Sequence, residues 1–149
     1  MLLPLNKYDG GKKIYIKSSM SIVVNGIQLP KLGYFNENDV DILGWAERLN
    51  VLIEELDESS ISEHLSYEGE IGTLLYLFKR NGETISVSVF NQKGWEIREP
   101  LKGYEDLKCS YKELKNQVFS FFNELYNTLY KEVPNHADTL WKRTGVRLG

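Results

Sequence analysis

A hairpin signature between Thr73 and Phe90 constrains the fold of this chain more than any other feature. The segment TLLYLFKRNGETISVSVF contains Asn81-Gly82, and Asn-Gly favours a type I′ turn because both residues tolerate positive φ. A register with Arg80 opposite Glu83 places six apolar residues on one face, and a slip by one residue would bury the serines instead. The predicted pairs are Phe78 with Ile85, Tyr76 with Val87, and Leu74 with Val89.

A second Asn-Gly pair, Asn25-Gly26, predicts another hairpin within residues 12–30. Pro30 lacks an N–H group and ends the second strand. The predicted pairs are Val24 with Ile27 and Ile22 with Leu29, with the latter pair on one face.

The first helix is predicted over residues 38–56, with Asn38 as its N-cap. Gly44 weakens this helix by about 1 kcal/mol relative to alanine, and it allows close approach of a neighbouring strand. Trp45 and Leu52 lie beside the main apolar stripe, where they either widen the buried face or form an exposed patch. The main stripe is Ile42, Ala46, Leu49, Ile53 and Leu56.

The second helix is predicted over residues 111–132 and ends before Pro134. Ser110 and Glu113 have the spacing of a capping box. The main stripe is Leu114, Val118, Phe121, Leu125 and Leu129. A neighbouring aromatic stripe is predicted to be core, although an exposed patch for a partner or a dimer mate is the alternative. That stripe is Phe119, Phe122, Tyr126 and Tyr130.

Three shorter segments complete the prediction. Residues 57–70 are predicted to be a loop, with a short helical turn near Ser60 to His64 and a strand that begins around Ser66. Residues 94–98 predict a strand that Pro100 ends, and residues 101–109 predict a loop. A short helix is predicted over Asp138 to Thr144 before Gly145.

The strands come in hairpins rather than alternating singly with helices, which favours α+β over α/β. We therefore expect an antiparallel sheet built from two Asn-Gly hairpins, packed against two amphipathic helices, with a short C-terminal helix. The length of 149 residues fits a single domain over residues 1–149.

The chain carries no recognisable catalytic or metal-ligating motif. His64 and His136 lie in separate polar segments without the spacing of metal ligands, so we expect no metal and no cofactor. Cys109 is the only cysteine and has no histidine near it in sequence, which disfavours a nucleophile. These absences favour a binding protein over an enzyme.

The charge distribution is uneven. Between Glu37 and Glu70 there are eleven acidic residues and one basic residue, Arg48, whereas the rest of the chain has ten acidic and seventeen basic residues. Such a block can steer association with a basic protein; the alternative is a solvated face that needs no partner. The predicted partner-binding residues are Glu54, Glu55, Asp57, Glu58, Glu63, Glu68 and Glu70.

Residues 70–130 resemble small bacterial immunity proteins of the contact-dependent growth inhibition type. The resemblance lies in the pattern of LLYLFKRNGETISVSVF, GWEI and SYKELKNQVFSFFNELY. It implies a cytoplasmic protein that masks the active site of a cognate toxin, and a toxin domain with a basic cleft would complement an acidic surface. Immunity families share no invariant site, so the resemblance assigns no individual residue.

We expect no nucleic-acid partner, because the acidic block would repel phosphate and the basic residues elsewhere form no readout motif. We also expect no membrane association, because no apolar run approaches the roughly 20 residues that span a bilayer. The N-terminus lacks the residue order of a secretory signal. The second hypothesis for function is a small-ligand-binding or regulatory domain with an apolar pocket between sheet and helices.

Overall fold

The computed structural model describes residues 6–9, 14–30, 40–67, 74–93 and 96–147. These residues form an α+β fold of antiparallel strands and three helices, as predicted. No helix within these ranges has the length and apolarity that would let it cross a membrane. The helices are α1 (Ile42–Glu58), α2 (Tyr111–Glu132) and α3 (Ala137–Thr144). The strands are β1 (Asn6–Asp9), β2 (Ile14–Ser18), β3 (Val23–Val24), β4 (Ile27–Gln28), β5 (Val40–Asp41), β6 (Ile61–Tyr67), β7 (Leu74–Asn81), β8 (Thr84–Lys93), β9 (Glu96–Pro100) and β10 (Leu107–Ser110).

A five-stranded antiparallel sheet organises the second half of the fold. Its order is β6-β7-β8-β10, and β9 pairs with the distal part of β8 across a bulge between Phe90 and Gln92. The two predicted hairpins do not share this sheet. β3 and β4 form a two-stranded sheet of their own, and β1, β2 and β5 form a third sheet.

The register of the β7–β8 hairpin differs from the prediction by two residues. Phe78 pairs with Val87 rather than with Ile85, and Asn81 pairs with Thr84. Gly82 has φ +62° and follows the last residue of β7, whereas Asn81 does not adopt a positive φ. A single positive φ at the first central residue is the requirement of a type II′ turn. The other predicted pairs shift in the same way, Tyr76 to Val89 and Leu74 to Asn91.

A shift of two residues keeps every side chain on its predicted face, because side chains alternate with period two. The six apolar residues of β7 and β8 are therefore buried together as expected. They are Leu74, Tyr76, Phe78, Ile85, Val87 and Val89.

The β3–β4 hairpin has the predicted turn. Val24 pairs with Ile27, and the φ values of Asn25 (51°) and Gly26 (75°) are both positive, as in a type I′ turn. The Leu29 N–H donates to the Ile22 carbonyl at 2.8 Å, which extends the pairing beyond the two strands.

Helix α1 begins four residues later than predicted. Asp41 is its N-cap and accepts a hydrogen bond from the Gly44 N–H at 3.2 Å, while Asn38 lies outside the described residues. A Cβ on Gly44 would lie 2.5 Å from Asp41 Oδ2. The glycine therefore leaves room for the capping carboxylate. Trp45 and Leu52 are both buried, so they widen the core face of the helix.

Helix α2 has the predicted bounds and N-cap. The Ser110 hydroxyl accepts from the Glu113 N–H at 3.0 Å. Helix α3 begins one residue before the predicted start, and Gly145 ends it in the left-handed conformation, with φ 71°.

Two predicted loops contain strands. Residues 61–67 form β6 along the edge of β7, so the prediction of a loop with a helical turn near Ser60 to His64 is wrong. Residues 107–110 form β10, which pairs with the first half of β8. In both segments, backbone pairing with a distant strand outweighs a polar local sequence.

One hydrophobic core joins the helices to one face of the large sheet, and Ile16 of β2 also belongs to it. Trp45 lies at its centre and contacts Tyr76 edge to face, with ring centroids 5.4 Å apart. The Tyr76 hydroxyl donates to the Pro30 carbonyl at 2.6 Å, which satisfies its polar group inside the core. The core thereby fixes α1 against the sheet and leaves the opposite side of this helix facing solvent.

Candidate functional site

The solvent side of α1 is acidic. Glu47, Val51, Glu54 and Glu58 are spaced four, three and four residues apart, which places them on one helical face, and all four are exposed. Glu55 is exposed beside them. We call these five residues the α1 stripe.

The charge of the α1 stripe is unfavourable for the helix itself. Three of the last four residues of α1 are acidic, namely Glu55, Asp57 and Glu58, and its last turn contains no basic residue. The C-terminal end of a helix carries a partial negative charge, so an acidic side chain there costs about 0.3–1 kcal/mol. The helix dipole therefore does not account for Glu55 and Glu58, the two residues of the α1 stripe in this turn.

The structure brings four of the seven predicted site residues together on the last turns of α1, namely Glu54, Glu55, Asp57 and Glu58, and all four are exposed. Glu63 is also exposed, but its side chain lies on the face of β6 away from α1, because the next residue, His64, packs beside α1 and side chains alternate along a strand. The other two, Glu68 and Glu70, lie outside the described residues.

Asp57 differs from the others because its charge is engaged inside the protein. Lys115 Nζ lies 2.8 Å from Asp57 Oδ2 and 3.0 Å from Oδ1. The Tyr111 hydroxyl also donates to Asp57. These contacts join the end of α1 to the first two turns of α2.

Arg80 extends this contact to the β7–β8 turn. Its guanidinium donates to the Leu56 carbonyl at 2.7 Å and to the Gly82 carbonyl at 2.8 Å. It also lies 4.1 Å from the centre of the Tyr111 ring, a cation–π distance. We call Asp57, Arg80, Tyr111 and Lys115 the polar clamp, because together they connect α1, the hairpin turn and α2.

The contacts within the clamp shift the pKa values of Asp57 and Tyr111 in opposite directions. Burial disfavours the Asp57 carboxylate, but the hydrogen bonds from Lys115 and Tyr111 outweigh it, and the pKa of Asp57 lies below its ordinary value of 3.8. Burial and then the hydrogen bond to Asp57 raise the pKa of the Tyr111 hydroxyl. Asp57 is thus ionised and Tyr111 neutral throughout the physiological range.

We expect Asp57→Asn to lower the free energy of unfolding at pH 7 by about 0.5–1 kcal/mol, because solvent screens a carboxylate side chain that is 42% exposed. A carboxylate with a depressed folded-state pKa stabilises the fold above its unfolded pKa, and this contribution disappears as pH falls through the folded value. The difference in the free energy of unfolding between wild type and variant should therefore shrink below about pH 4. Urea unfolding at pH 7, 5, 4 and 3 measures it. The control is Glu99→Gln, at an exposed carboxylate, and a constant difference across this range would contradict the assignment.

Two further predicted residues have partners. Glu55 Oε2 is hydrogen-bonded to His64 Nδ1, whose side chain is mostly buried beside α1. Glu63 lies 3.9 Å from Lys79 across the β6–β7 pair, and both side chains are well exposed, so this contact is weak. Within the described ranges, Glu47, Glu54 and Glu58 form no ion pair.

Sequence reasoning did not single out two residues of this region. Glu47 was counted only in the total charge, although its helical spacing from Glu54 and Glu58 places it on the same face. Ile61 is 74% exposed at the start of β6, between Glu58 and Glu63. The exposed position of Ile61 on a strand could not be inferred from the sequence, because this segment was predicted to be a loop.

The aromatic stripe of α2 is divided between core and surface. Phe122 is buried, whereas Phe119, Tyr126 and Tyr130 are half-buried. Tyr126 packs on Trp141 of α3 with ring centroids 5.2 Å apart. The Tyr130 hydroxyl donates to Asp138, which together with partial burial raises the pKa of Tyr130 to about 12. Tyr126 and Tyr130 thus hold α3 against α2.

The remaining chemistry-bearing residues do not converge. Cys109 is half-buried, and burial followed by the nearby Glu113 raises the pKa of its thiol, which lowers the fraction of reactive thiolate. His136 is exposed at the start of α3, far in sequence from His64 on β6. In the part of the chain that the structure describes, no group of three or more His, Cys, Asp or Glu residues could hold a metal ion.

The site thus consists of an exposed acidic helix face and a clamp that connects the end of that helix to α2 and to the β7–β8 turn. No protein-family model matches the sequence, and no curated protein or solved structure matches it either.

Proposed function

We propose that this chain is a binding protein that neutralises a cognate toxin by direct protein–protein contact through the α1 stripe. The observation that carries the proposal is the exposed, largely unneutralised charge of Glu47, Glu54 and Glu58 on one face of α1. An acidic face of this kind complements a basic surface, such as the cleft of a toxin that acts on nucleic acid.

Electrostatics supports a protein partner in two ways. Complementary charge raises association rates tenfold or more at low salt, which suits an inhibitor that must act before the toxin does. Glu55 and Glu58 also lie in the last turn of α1, where the helix dipole opposes their charge, and a basic partner would offset that cost.

The clamp supports the proposal through rigidity. Asp57, Tyr111, Arg80 and Lys115 fix the end of α1 to α2 and to the β7–β8 turn. A surface that is ordered before binding loses little conformational entropy when the partner docks. In this proposal Asp57 positions the surface and does not contact the partner.

The test needs a candidate toxin, and a large gene immediately upstream of the gene for this chain would supply one, whose purified product is then the binding partner. We expect Glu54→Lys/Glu58→Lys to slow association at least tenfold at low salt, and to reduce the salt dependence of the rate. Growth of cells that co-express the toxin should fall in parallel. Association rates at 50 mM and 300 mM salt measure the effect.

The control variant is Glu99→Lys/Glu105→Lys, which changes the net charge equally at two exposed carboxylates outside the α1 stripe. Its association rate should stay within about twofold of wild type. If both double variants slow association equally, the effect on the rate comes from net charge alone. The α1 stripe would then not be part of the contact. Absence of binding by the wild-type protein would overturn the proposed function itself.

No specific contact within the described residues favours an enzymatic or a small-ligand-binding role over a protein-binding role.

A further inference from the structure

We propose that Asn25 is a site of spontaneous chemical modification, at which the side-chain amide converts to aspartate or isoaspartate, and that the fold protects Asn81 from the same reaction. The sequence contains two Asn-Gly pairs, Asn25-Gly26 and Asn81-Gly82. The reacting groups are the same in both pairs, so their surroundings in the fold decide which pair reacts. This inference is independent of the proposed function.

The reaction needs only the two residues and water. The Gly26 backbone nitrogen gives its proton to a base in solution and attacks the amide carbon of the Asn25 side chain. A new C–N bond forms, the amide C–N bond breaks, and the released nitrogen takes up a proton and leaves as ammonia. Water then opens the cyclic imide at either of its two carbonyl carbons, which yields aspartate or isoaspartate. Glycine favours the attack, because it has no Cβ to hinder the approach of its nitrogen.

The Asn25-Gly26 pair is open to this attack in the folded protein. Both residues are exposed and occupy the central positions of the β3–β4 turn. Within the ranges that the structure describes, the Gly26 N–H donates no hydrogen bond, so its nitrogen gives up no partner when it attacks. The flanking strands contain two residues each. A turn at the end of such short strands opens at a low cost in free energy, which lets the Asn25 amide rotate toward the nitrogen.

The Asn81-Gly82 pair has both backbone groups of its glycine engaged. The Gly82 N–H donates to the Ser60 carbonyl at 2.7 Å, and the Gly82 carbonyl accepts from Arg80 Nε at 2.8 Å. Asn81 is itself the last residue of β7 and is paired with both neighbouring strands, β6 and β8. Attack by the Gly82 nitrogen would break its hydrogen bond and distort the sheet. The reaction at Asn81 must therefore wait for a local opening of three paired strands.

Modification at Asn25 would change the β3–β4 hairpin in two ways. Both products place a new negative charge at the tip of the hairpin. Isoaspartate also lengthens the backbone by one carbon, which disrupts the two-residue turn that pairs Val24 with Ile27.

The test is incubation of the folded chain at mildly alkaline pH, followed by peptide mass spectrometry that quantifies the amide-to-acid conversion at each asparagine. We expect conversion at Asn25 to be at least about tenfold faster than at Asn81, because Gly82 must first lose its contacts. The same incubation in a concentration of urea that unfolds the chain should make the two rates similar. Equal conversion of both asparagines in the folded protein would overturn the inference. A difference that persists in urea would also overturn it, since the fold would then not be its cause.

Two variants provide matched controls, which isoelectric focusing of the incubated proteins compares. Asn25→Gln should remove the early acidic species, because a glutamine amide would have to close a larger ring that forms more slowly. Asn81→Gln should accumulate that species as wild type does. Persistence of the early acidic species in Asn25→Gln, or its loss in Asn81→Gln, would assign the reaction to another residue. Thermal unfolding of each variant before incubation checks that the fold is intact.

Discussion

Trp45→Ala is expected to lower the free energy of unfolding by about 3–5 kcal/mol, which is a large part of the roughly 5–15 kcal/mol that stabilises a domain. The Trp45 side chain is completely buried, at 0% exposure, and its ring packs edge to face on Tyr76. Alanine would leave a cavity at the point where α1 meets the sheet. Because Trp45 holds the helix whose opposite side carries the α1 stripe, the toxin binding proposed for this chain should fall with the amount of folded protein.

Chemical denaturation of the purified variant measures this effect. Val51→Ala is the matched control, since Val51 is on the same helix but 40% exposed, and its expected loss is below about 1 kcal/mol. A loss in Trp45→Ala no larger than that of Val51→Ala would contradict the central position of Trp45 in the core.

Arg80→Met is expected to lower the free energy of unfolding by about 2–4 kcal/mol. The substitution keeps an apolar stem but removes the donors to the Leu56 and Gly82 carbonyls and the cation–π contact with Tyr111. Hydrogen bonds from a charged group contribute about 1.5–3 kcal/mol each, and their effects overlap within one network. The end of α1 should also exchange its amide hydrogens faster, because the Leu56 carbonyl would lose its partner.

Lys79→Met is the control for Arg80→Met. Lys79 is the preceding residue on β7, but its side chain is exposed and its nearest carboxylate, on Glu63, is 3.9 Å away, so we expect a change within about 0.5 kcal/mol. Similar losses in both variants would mean that the clamp contributes no more than an exposed ion pair. Arg80→Lys should recover only part of the stability, since one ammonium cannot reproduce the planar geometry of the guanidinium.

The sequence predicted those elements whose signals are local. Ser110 and Glu113 define the start of α2 within four residues, and the structure has the helix in that place. Asn25 and Gly26 likewise adopt the positive φ values that their residue types favour. In both cases the interactions that decide the conformation lie within one turn of the chain.

The β7–β8 register shows where local reasoning stops. Asn81 and Gly82 were expected to be the two central turn residues, but the chain places Gly82 and Glu83 there. A type II′ turn needs a positive φ only at its first central residue, and Gly82 provides it in the observed register. The Asn-Gly pair would also suit a type I′ turn in the predicted register, so it did not distinguish the two. The buried face was predicted correctly nonetheless, because both registers bury the same residues.

The candidate site was less predictable, because its contacts connect distant parts of the chain. Asp57 was grouped with its acidic neighbours, yet Lys115, 58 positions away, engages its carboxylate. Nothing in the local sequence separates Asp57 from Glu58, which forms no ion pair within the described residues. Charge reversal at Asp57 would therefore confuse a loss of folding with a loss of binding, and it is left out of the charge variant.

The acidic end of α1 gives the fold and the proposed contact opposite responses to the solvent. Salt weakens the repulsion between these carboxylates and the helix dipole, since the screening length falls to about 10 Å at 0.1 M. The same ions weaken attraction to a basic partner. For Glu58, which forms no ion pair within the described residues, the conditions that favour the free protein are those that disfavour the proposed complex.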